Sequence, residues 1–179
     1  MQDKSKFAGF ERAVMPHLSA AYNLARWLTR NDHDAEDVVQ EAYLRAFRFF
    51  SGFRGGDSRA WLLTIVRNVF YTWSQQNNAR GMTTIDEEIV DNIESPSPSP
   101  EAELLQSVDN QRLRQALEQL PLEYREVIVL RELEELSYKE IAEIADIPLG
   151  TVMSRLARAR KRLQQFLLAG ETRGYPHEV

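Results

Sequence analysis

The sequence predicts an all-α protein: two small helical domains joined by a flexible acidic linker. Three observations carry this prediction. Apolar residues recur at three- and four-residue steps through most of the chain, without the alternation of a half-buried strand. The pattern fails from Gly81 to Pro100, where ESPSPSPE places three prolines after serines; each proline disfavours helix at itself and at the residue before it. Charge also switches sign along the chain. Residues 81–111 hold eight acidic side chains and no Lys or Arg, whereas residues 151–163 hold five basic side chains and no acid. The resulting division is a first domain over 1–80, a linker over 81–100, a second domain over 101–168 and a tail over 169–179.

In the first domain, Phe10, Val14, Leu18, Ala21, Ala25 and Leu28 form one periodic row. A second row, Ala35, Val38, Val39, Ala42 and Ala46, follows Asp32 and Asp34, whose charges suit a helix amino end. SGFRGGDS (51–58) breaks the pattern with three glycines, and Ser58 is the expected cap of the next helix. That helix contains WLLTIVRNVFYTW (61–73) and continues to about Gln76. Leu62, Ile65, Val66, Val69 and Trp73 make its inward stripe, and Thr64, Arg67, Asn68, Tyr71 and Gln75 a polar one. The acidic segment that follows has the composition of a tether. A long helix is expected from Glu101 to Leu120, apolar at Leu105, Val108, Leu113, Ala116 and Leu117, then a break at Pro121 and a further helix in PLEYREVIVLRELEEL.

Composition narrows the function classes. Zero cysteine excludes disulfides, thiolate metal sites and cysteine nucleophiles, and suits a reducing cytoplasm. His17, His33 and His177 have no paired metal-ligand spacing, so no metal is expected. Neither a membrane span nor a secretory signal is expected. No nucleophile–base pair, phosphate loop or cofactor motif stands out. The chain is therefore expected to be neither an enzyme nor a binder of a small-molecule substrate or cofactor.

The most informative stretch is LSYKEIAEIADIPLGTVMSRLARARKRL (136–163). Ser137 followed by Glu140 is a capping box that starts one helix. Asp146-Ile147-Pro148 breaks it, and Pro148 suits the first position of a second helix. Val152, Leu156, Ala159 and Leu163 form that helix's inward stripe, while Leu149, Gly150, Thr151, Ser154, Arg155 and Arg158 face outward. A capped helix, a tight turn and a second helix with small and basic residues at its start is a helix-turn-helix, built for the major groove of DNA. Arg155 is placed for base edges; Arg158, Arg160, Lys161 and Arg162, further along, are placed for phosphates.

With these residues in view, the chain resembles an extracytoplasmic-function (group IV) sigma factor of bacterial RNA polymerase. LPLEYREVIVLRELEELSYKEIAEIADIPLGTVMSRLARARKRL (120–163) resembles the family's region 4, and DAEDVVQEAYLRAF (34–47) its polymerase-binding helix in region 2. FRGGDSRAWLLTIVRNVFYTW (53–73) resembles the part of region 2 that opens the −10 element. The resemblance implies that residues 1–80 are region 2 and residues 101–168 region 4. It implies that Asp34, Glu36, Asp37, Gln40 and Glu41 meet core polymerase, at the clamp helices of its largest subunit, with region 4 near the flap. It assigns Phe53, Arg54, Gly55, Gly56, Ser58, Thr64, Arg67, Asn68 and Tyr71 to the −10 strand. It assigns Leu149, Gly150, Thr151, Ser154, Arg155, Arg158, Arg160 and Lys161 to the −35 duplex. An anti-sigma factor is an expected partner, one that in a membrane-bound form would hold this cytoplasmic protein at the membrane. In similar proteins the linker threads polymerase channels, where an acidic chain would mimic nucleic acid.

Met153 departs from the family, which often has Lys there, and the short tail after Leu163 is expected to stand where some members carry a sensory extension. The residues alone also leave other readings open. An acidic helix start is an ordinary solvated face, and a polar stripe is an ordinary helix exterior. A helix-turn-helix regulator with its own sensor domain would bind an operator unaided, often as a dimer; a helical scaffold would show no promoter-dependent activity.

Overall fold

The computed structural model of the chain describes residues 1–79 and 100–172, with side chains described for 1–78 and 110–170. The expected acidic linker lies outside these residues except for Pro100, which opens a helix, and so does the tail beyond Thr172. The described residues form eight α-helices and no strand.

The first half holds α1 (Gln2–Val14), α2 (Leu18–Thr29), α3 (Asp32–Phe49) and α4 (Ser58–Ala79). Pro16 separates α1 from α2 with a 3-10 turn over Met15–His17, because its ring removes a backbone donor. The turn shifts the helical phase. Phe10, Val14, Ala21, Ala25 and Leu28 are buried as the periodicity predicts, but Leu18, in the same row, is 44% exposed. Asn31 caps α3, its side-chain oxygen accepting from the Asp34 amide at 3.1 Å. The row Ala35, Val38, Val39, Ala42 and Ala46 is buried throughout. The expected cap at Ser58 is displaced by one residue. Asp57 caps α4, accepting from the Ala60 amide at 3.1 Å, whereas Ser58 is the first residue of the helix and bonds His17 Nε2 at 3.1 Å.

The second half holds α5 (Pro100–Gln119), α6 (Leu122–Ile128), α7 (Tyr138–Ala145) and α8 (Leu149–Thr172). A π-helical turn, Val129–Leu133, extends α6 and wraps its end back toward α7. Ser137 caps α7 as expected, accepting from the Glu140 amide at 3.1 Å and donating to the Glu140 carboxylate at 3.0 Å. Asp146 ends α7 in the left-handed conformation, φ 53°, which short polar side chains tolerate better than most. Pro148 sits just before α8, its carbonyl accepting from Thr151 and Val152.

The halves do not stand apart. α2 packs on α6 and α4 on α7, and one buried apolar cluster runs through both halves, from Leu24, Leu62 and Val66 to Val127, Ile128, Leu130 and Ile141. Fully burying a Leu or Ile side chain contributes about 1.5–3 kcal/mol. Units this small have modest margins alone, so the shared apolar seam matters to both.

Candidate nucleic-acid interface

The face of α8 is assembled much as its sequence reads. Val152, Leu156 and Ala159 are buried and fix the helix against α6 and α7. Leu149, Gly150, Ser154, Arg158, Arg160 and Lys161 are exposed, and Thr151 and Arg155 are half-buried. Several of these cations already have acidic neighbours. Arg160 bonds Glu132 at 2.9 Å, and Arg155 approaches Glu123 at 3.8 Å. The exposed Arg160–Glu132 pair holds its side chains weakly, at about 0–1 kcal/mol, and Arg155 stays beyond hydrogen-bond distance of Glu123, so both remain available to a phosphate. Arg158 and Lys161 have no ion-pair partner among the described residues. Met153 is 53% exposed on the same helix.

The polar stripe of α4 is arranged differently. Thr64 turns its hydroxyl back to the Ala60 carbonyl at 2.8 Å. Arg67 lies over the Tyr71 ring, 4.3 Å from its centroid. Both reach a residue the sequence reading did not single out: Glu126 of α6. Arg67 Nε donates to one Glu126 oxygen and the Tyr71 hydroxyl to the other, the latter at 3.0 Å. Glu126 is 0% exposed. Burial, then the Glu126 charge, push the Tyr71 phenol up to about 12, because each disfavours a second anion there. Of the stripe's four assigned residues only Asn68 is exposed; Thr64, Arg67 and Tyr71 are half-buried.

The loop before α4 supplies a second surface. Gly55 and Gly56 have φ of 86° and 95°, where a Cβ is strained although nothing would touch it. Their requirement is conformational, not steric. Arg54, Gly55 and Gly56 are exposed, but Phe53 is half-buried. It stacks on Phe50 with centroids 5.8 Å apart and leans on Trp61 at 5.0 Å. Phe53 and Trp61 thus form a rigid aromatic wall beside a loop that carries a cation.

On α3, Glu36, Asp37, Gln40 and Glu41 are exposed and Asp34 is half-buried. Burial, then the neighbouring Asp37 charge, raise the Asp34 pKa. Glu36 and Gln40 also rim an open groove of about 740 Å³ between α2 and α3, whose apolar wall includes Leu18, Tyr22, Val39 and Tyr43. The exposure of Leu18 was not legible as a site feature, since periodicity assigns it to the core.

Two family descriptions match: Sigma-70 region 2 over residues 13–80, and Sigma-70 region 4 over residues 110–163. The ECF RNA polymerase sigma-E factor of Haemophilus influenzae is 36% identical over 151 residues, covering 79% of this chain and 77% of that protein. The chain belongs to the extracytoplasmic-function sigma factors. The ECF RNA polymerase sigma factor SigE of Mycolicibacterium smegmatis is 34% identical over 165 residues; the match takes in 92% of this sigma factor but 64% of the longer relative. Among solved structures, the sigma factor RpoE of Bartonella quintana, in complex with the anti-sigma factor NepR, aligns with a TM-score of 0.74 at 30% identity. That alignment covers 89% of this chain and 96% of the other. Sigma factors are DNA-binding regulators of transcription initiation. Among the described residues of this one, no helix is long and apolar enough to cross a membrane.

Proposed function

We propose that this sigma factor binds core RNA polymerase through α3, reads the −35 duplex through α8 and reads the opened −10 strand through α4 and the loop before it. The reading divides the chain into region 2 (1–80), a linker (81–100), region 4 (101–168) and a tail (169–179). The observation that carries it is the pair of surfaces on α4 and α8, each matched to its own sigma region. Polymerase docks on Asp34, Glu36, Asp37, Gln40 and Glu41, with the apolar groove between α2 and α3 taking a side chain from the clamp. Complementary charge there aids orientation and on-rate more than affinity.

At the −35 element, Leu149, Gly150, Thr151, Ser154 and Arg155 meet base edges, and Arg158, Arg160 and Lys161 meet phosphates. At the −10 element, Arg54, Gly55, Gly56 and Ser58 form the rim of a pocket for an extruded base, with Phe53 as its wall. Thr64, Arg67, Asn68 and Tyr71 then track the strand by hydrogen bonds and stacking. Extruding the base costs a few kcal/mol, which these contacts offset. Bond-making belongs to the polymerase, not to this chain.

An anti-sigma factor restrains the protein in the cytoplasm, or at the membrane where that partner is membrane-bound. The likeness to an anti-sigma-bound sigma factor supports this. The acidic linker occupies a nucleic-acid channel of the polymerase until RNA displaces it. Run-off transcription with core polymerase, with and without this chain, tests the reading. Promoter-specific initiation that depends on the chain, and is lost in folded Asn68→Ala and Arg155→Ala variants, is the expected result. Tight specific binding of promoter duplex by the chain alone would instead mark a self-sufficient regulator.

A further inference from the structure

We propose that Met153, together with Leu149, reads thymine in the upstream duplex through the C5-methyl group of the base. Discrimination there then comes from an apolar contact as well as from hydrogen bonds. The inference rests on the reading of α8 as the −35 helix and adds to it a residue that reading leaves unused.

Neither side chain is needed to seat the helix. Val152, Leu156 and Ala159 are buried and do that. Leu149 and Met153 lie off that seam, one turn apart, and are 49% and 53% exposed. Four-residue spacing puts the pair on one face, and Ala157, a turn further on, is exposed as well. The start of α8 therefore shows solvent an apolar strip. Single exposed apolar side chains are ordinary on a protein surface. What distinguishes this strip is its setting. Arg158 and Lys161 are exposed beside it, and Arg160, two turns after Met153, continues its line. Cations at that spacing suit a polyanion, whereas the strip between them asks for something apolar. In the major groove of duplex DNA the thymine methyl is the apolar group displayed among donors and acceptors.

Gly150 permits the approach. Its φ is not positive, and a Cβ added there would meet nothing within 4 Å. Neither packing nor backbone conformation within the chain calls for glycine, so its bareness serves to keep the edge of the strip low. From Leu149 to Met153 is about 6 Å along the helix axis, and bases on one strand are about 3.4 Å apart. The strip thus reaches one or two adjacent thymines. The unbranched thioether of Met153 can adapt to the position of the methyl. Having no charge, it neutralises no phosphate, and its contribution is confined to discrimination.

The test uses core RNA polymerase loaded with the full chain. This holoenzyme selects upstream elements from a duplex pool randomised over that region, and each selected thymine is then replaced by deoxyuridine, which pairs alike and lacks only the methyl. The wild-type holoenzyme is expected to select thymine at one or two adjacent positions and to bind the uracil duplex about fourfold more weakly, the worth of one buried methyl. On the same duplexes the penalty should shrink in Met153→Ala and vanish in the Leu149→Ala, Met153→Ala double variant. Met153→Lys should lose the penalty and steepen the salt slope of duplex binding by about 0.9. Both positions are exposed, so the variants should fold, which circular dichroism checks.

A selected element without thymine, or one whose thymines all tolerate uracil, overturns the proposal and leaves the sigma-factor reading in place. So does a penalty undiminished in the double variant. Weaker assembly of the double variant with core polymerase in the absence of DNA, with uracil neutral, assigns the strip to a protein contact and overturns it too. A wild-type holoenzyme that selects no upstream sequence at all overturns the sigma-factor reading and the proposal with it.

Discussion

The helices α4 and α8, proposed to read the two promoter elements, differ in what occupies their polar faces. On α8 the assigned cations meet solvent or exposed acids, Arg160 bonding Glu132 and Arg155 only approaching Glu123. On α4 a cation and a phenol are held by a fully buried carboxylate 59 and 55 residues away in sequence. The difference teaches that a face can have the composition of a binding surface and still be part of a core. Composition says what a surface could bind. Burial says what it binds now.

The sharpest way to break this comparison is to remove one buried and one exposed arginine. Arg125 is 4% exposed, bonded to the carbonyls of Leu120 and Leu28, and burial lowers its pKa to about 10. Arg125→Ala leaves those carbonyls unpaired and is expected to lose more than about 3 kcal/mol of stability. Arg158→Ala should stay within about 0.5 kcal/mol of wild type. Urea unfolding followed by far-UV circular dichroism compares the two. Equal losses would erase the distinction between a cation held in the seam between the halves and one on the open face of α8.

A functional pair comes next. Asn68→Ala is expected to weaken binding of an opened −10 strand by about 1–3 kcal/mol while leaving −35 duplex binding by the holoenzyme intact. Arg158→Ala should do the reverse and lower the salt slope of duplex binding by about 0.9. Fluorescence titration at several salt concentrations reads both. Gly55→Ala is a smaller change, expected to cost about 1 kcal/mol or slightly more, because φ of 86° strains any Cβ. The midpoint of the same urea titration checks it.

The smallest effect is one of pH. Burial raises the pKa of Glu134, against the opposing pull of Arg59 and Asn23. A carboxyl with a raised folded pKa holds its proton more tightly folded than unfolded. The stability this adds is complete below the unfolded value and is lost as pH climbs through the folded one. Thermal midpoints should therefore carry a shallow downward component across that window, and Glu134→Gln should flatten it.

Much of the fold was legible because its signals are local. Ser137 and Glu140 are three residues apart, and their capping geometry is present in the structure. Of the expected stripe Leu62, Ile65, Val66, Val69 and Trp73, a helical period placed Leu62, Val66 and Val69 in the core, but Ile65 and Trp73 are half-buried and Leu63 and Phe70 are buried instead. Errors arose where a small shift mattered. Asp57 and Ser58 are both good caps, and sequence could not say which one the loop presents. Leu18 fell out of its row because the turn at Pro16 reset the phase.

The candidate site was legible in its residue types but not in its present occupancy. Glu126 sits in YREVIVL, where a charged residue reads as a solvated turn of an amphipathic helix. Its counter-charges lie beyond the linker, and no local rule reaches that far. The apolar run on both sides of Arg125-Glu126 was the available hint, since it leaves that pair little exposed helix face.

The arginine and carboxylate at the seam also limit what protein engineers can exchange. A chimera that joined this amino-terminal half to the carboxy-terminal half of a relative would keep the pair with Arg67 only where that relative carries an acid in place of Glu126. Without an acid there, the guanidinium would be buried beside Tyr71 with no counter-ion, and the end of α2 would lose the donor Arg125 gives Leu28. Promoter-swapping hybrids would therefore need Arg125 and Glu126 to travel with the half they lock against. Modularity in this protein ends at those two side chains.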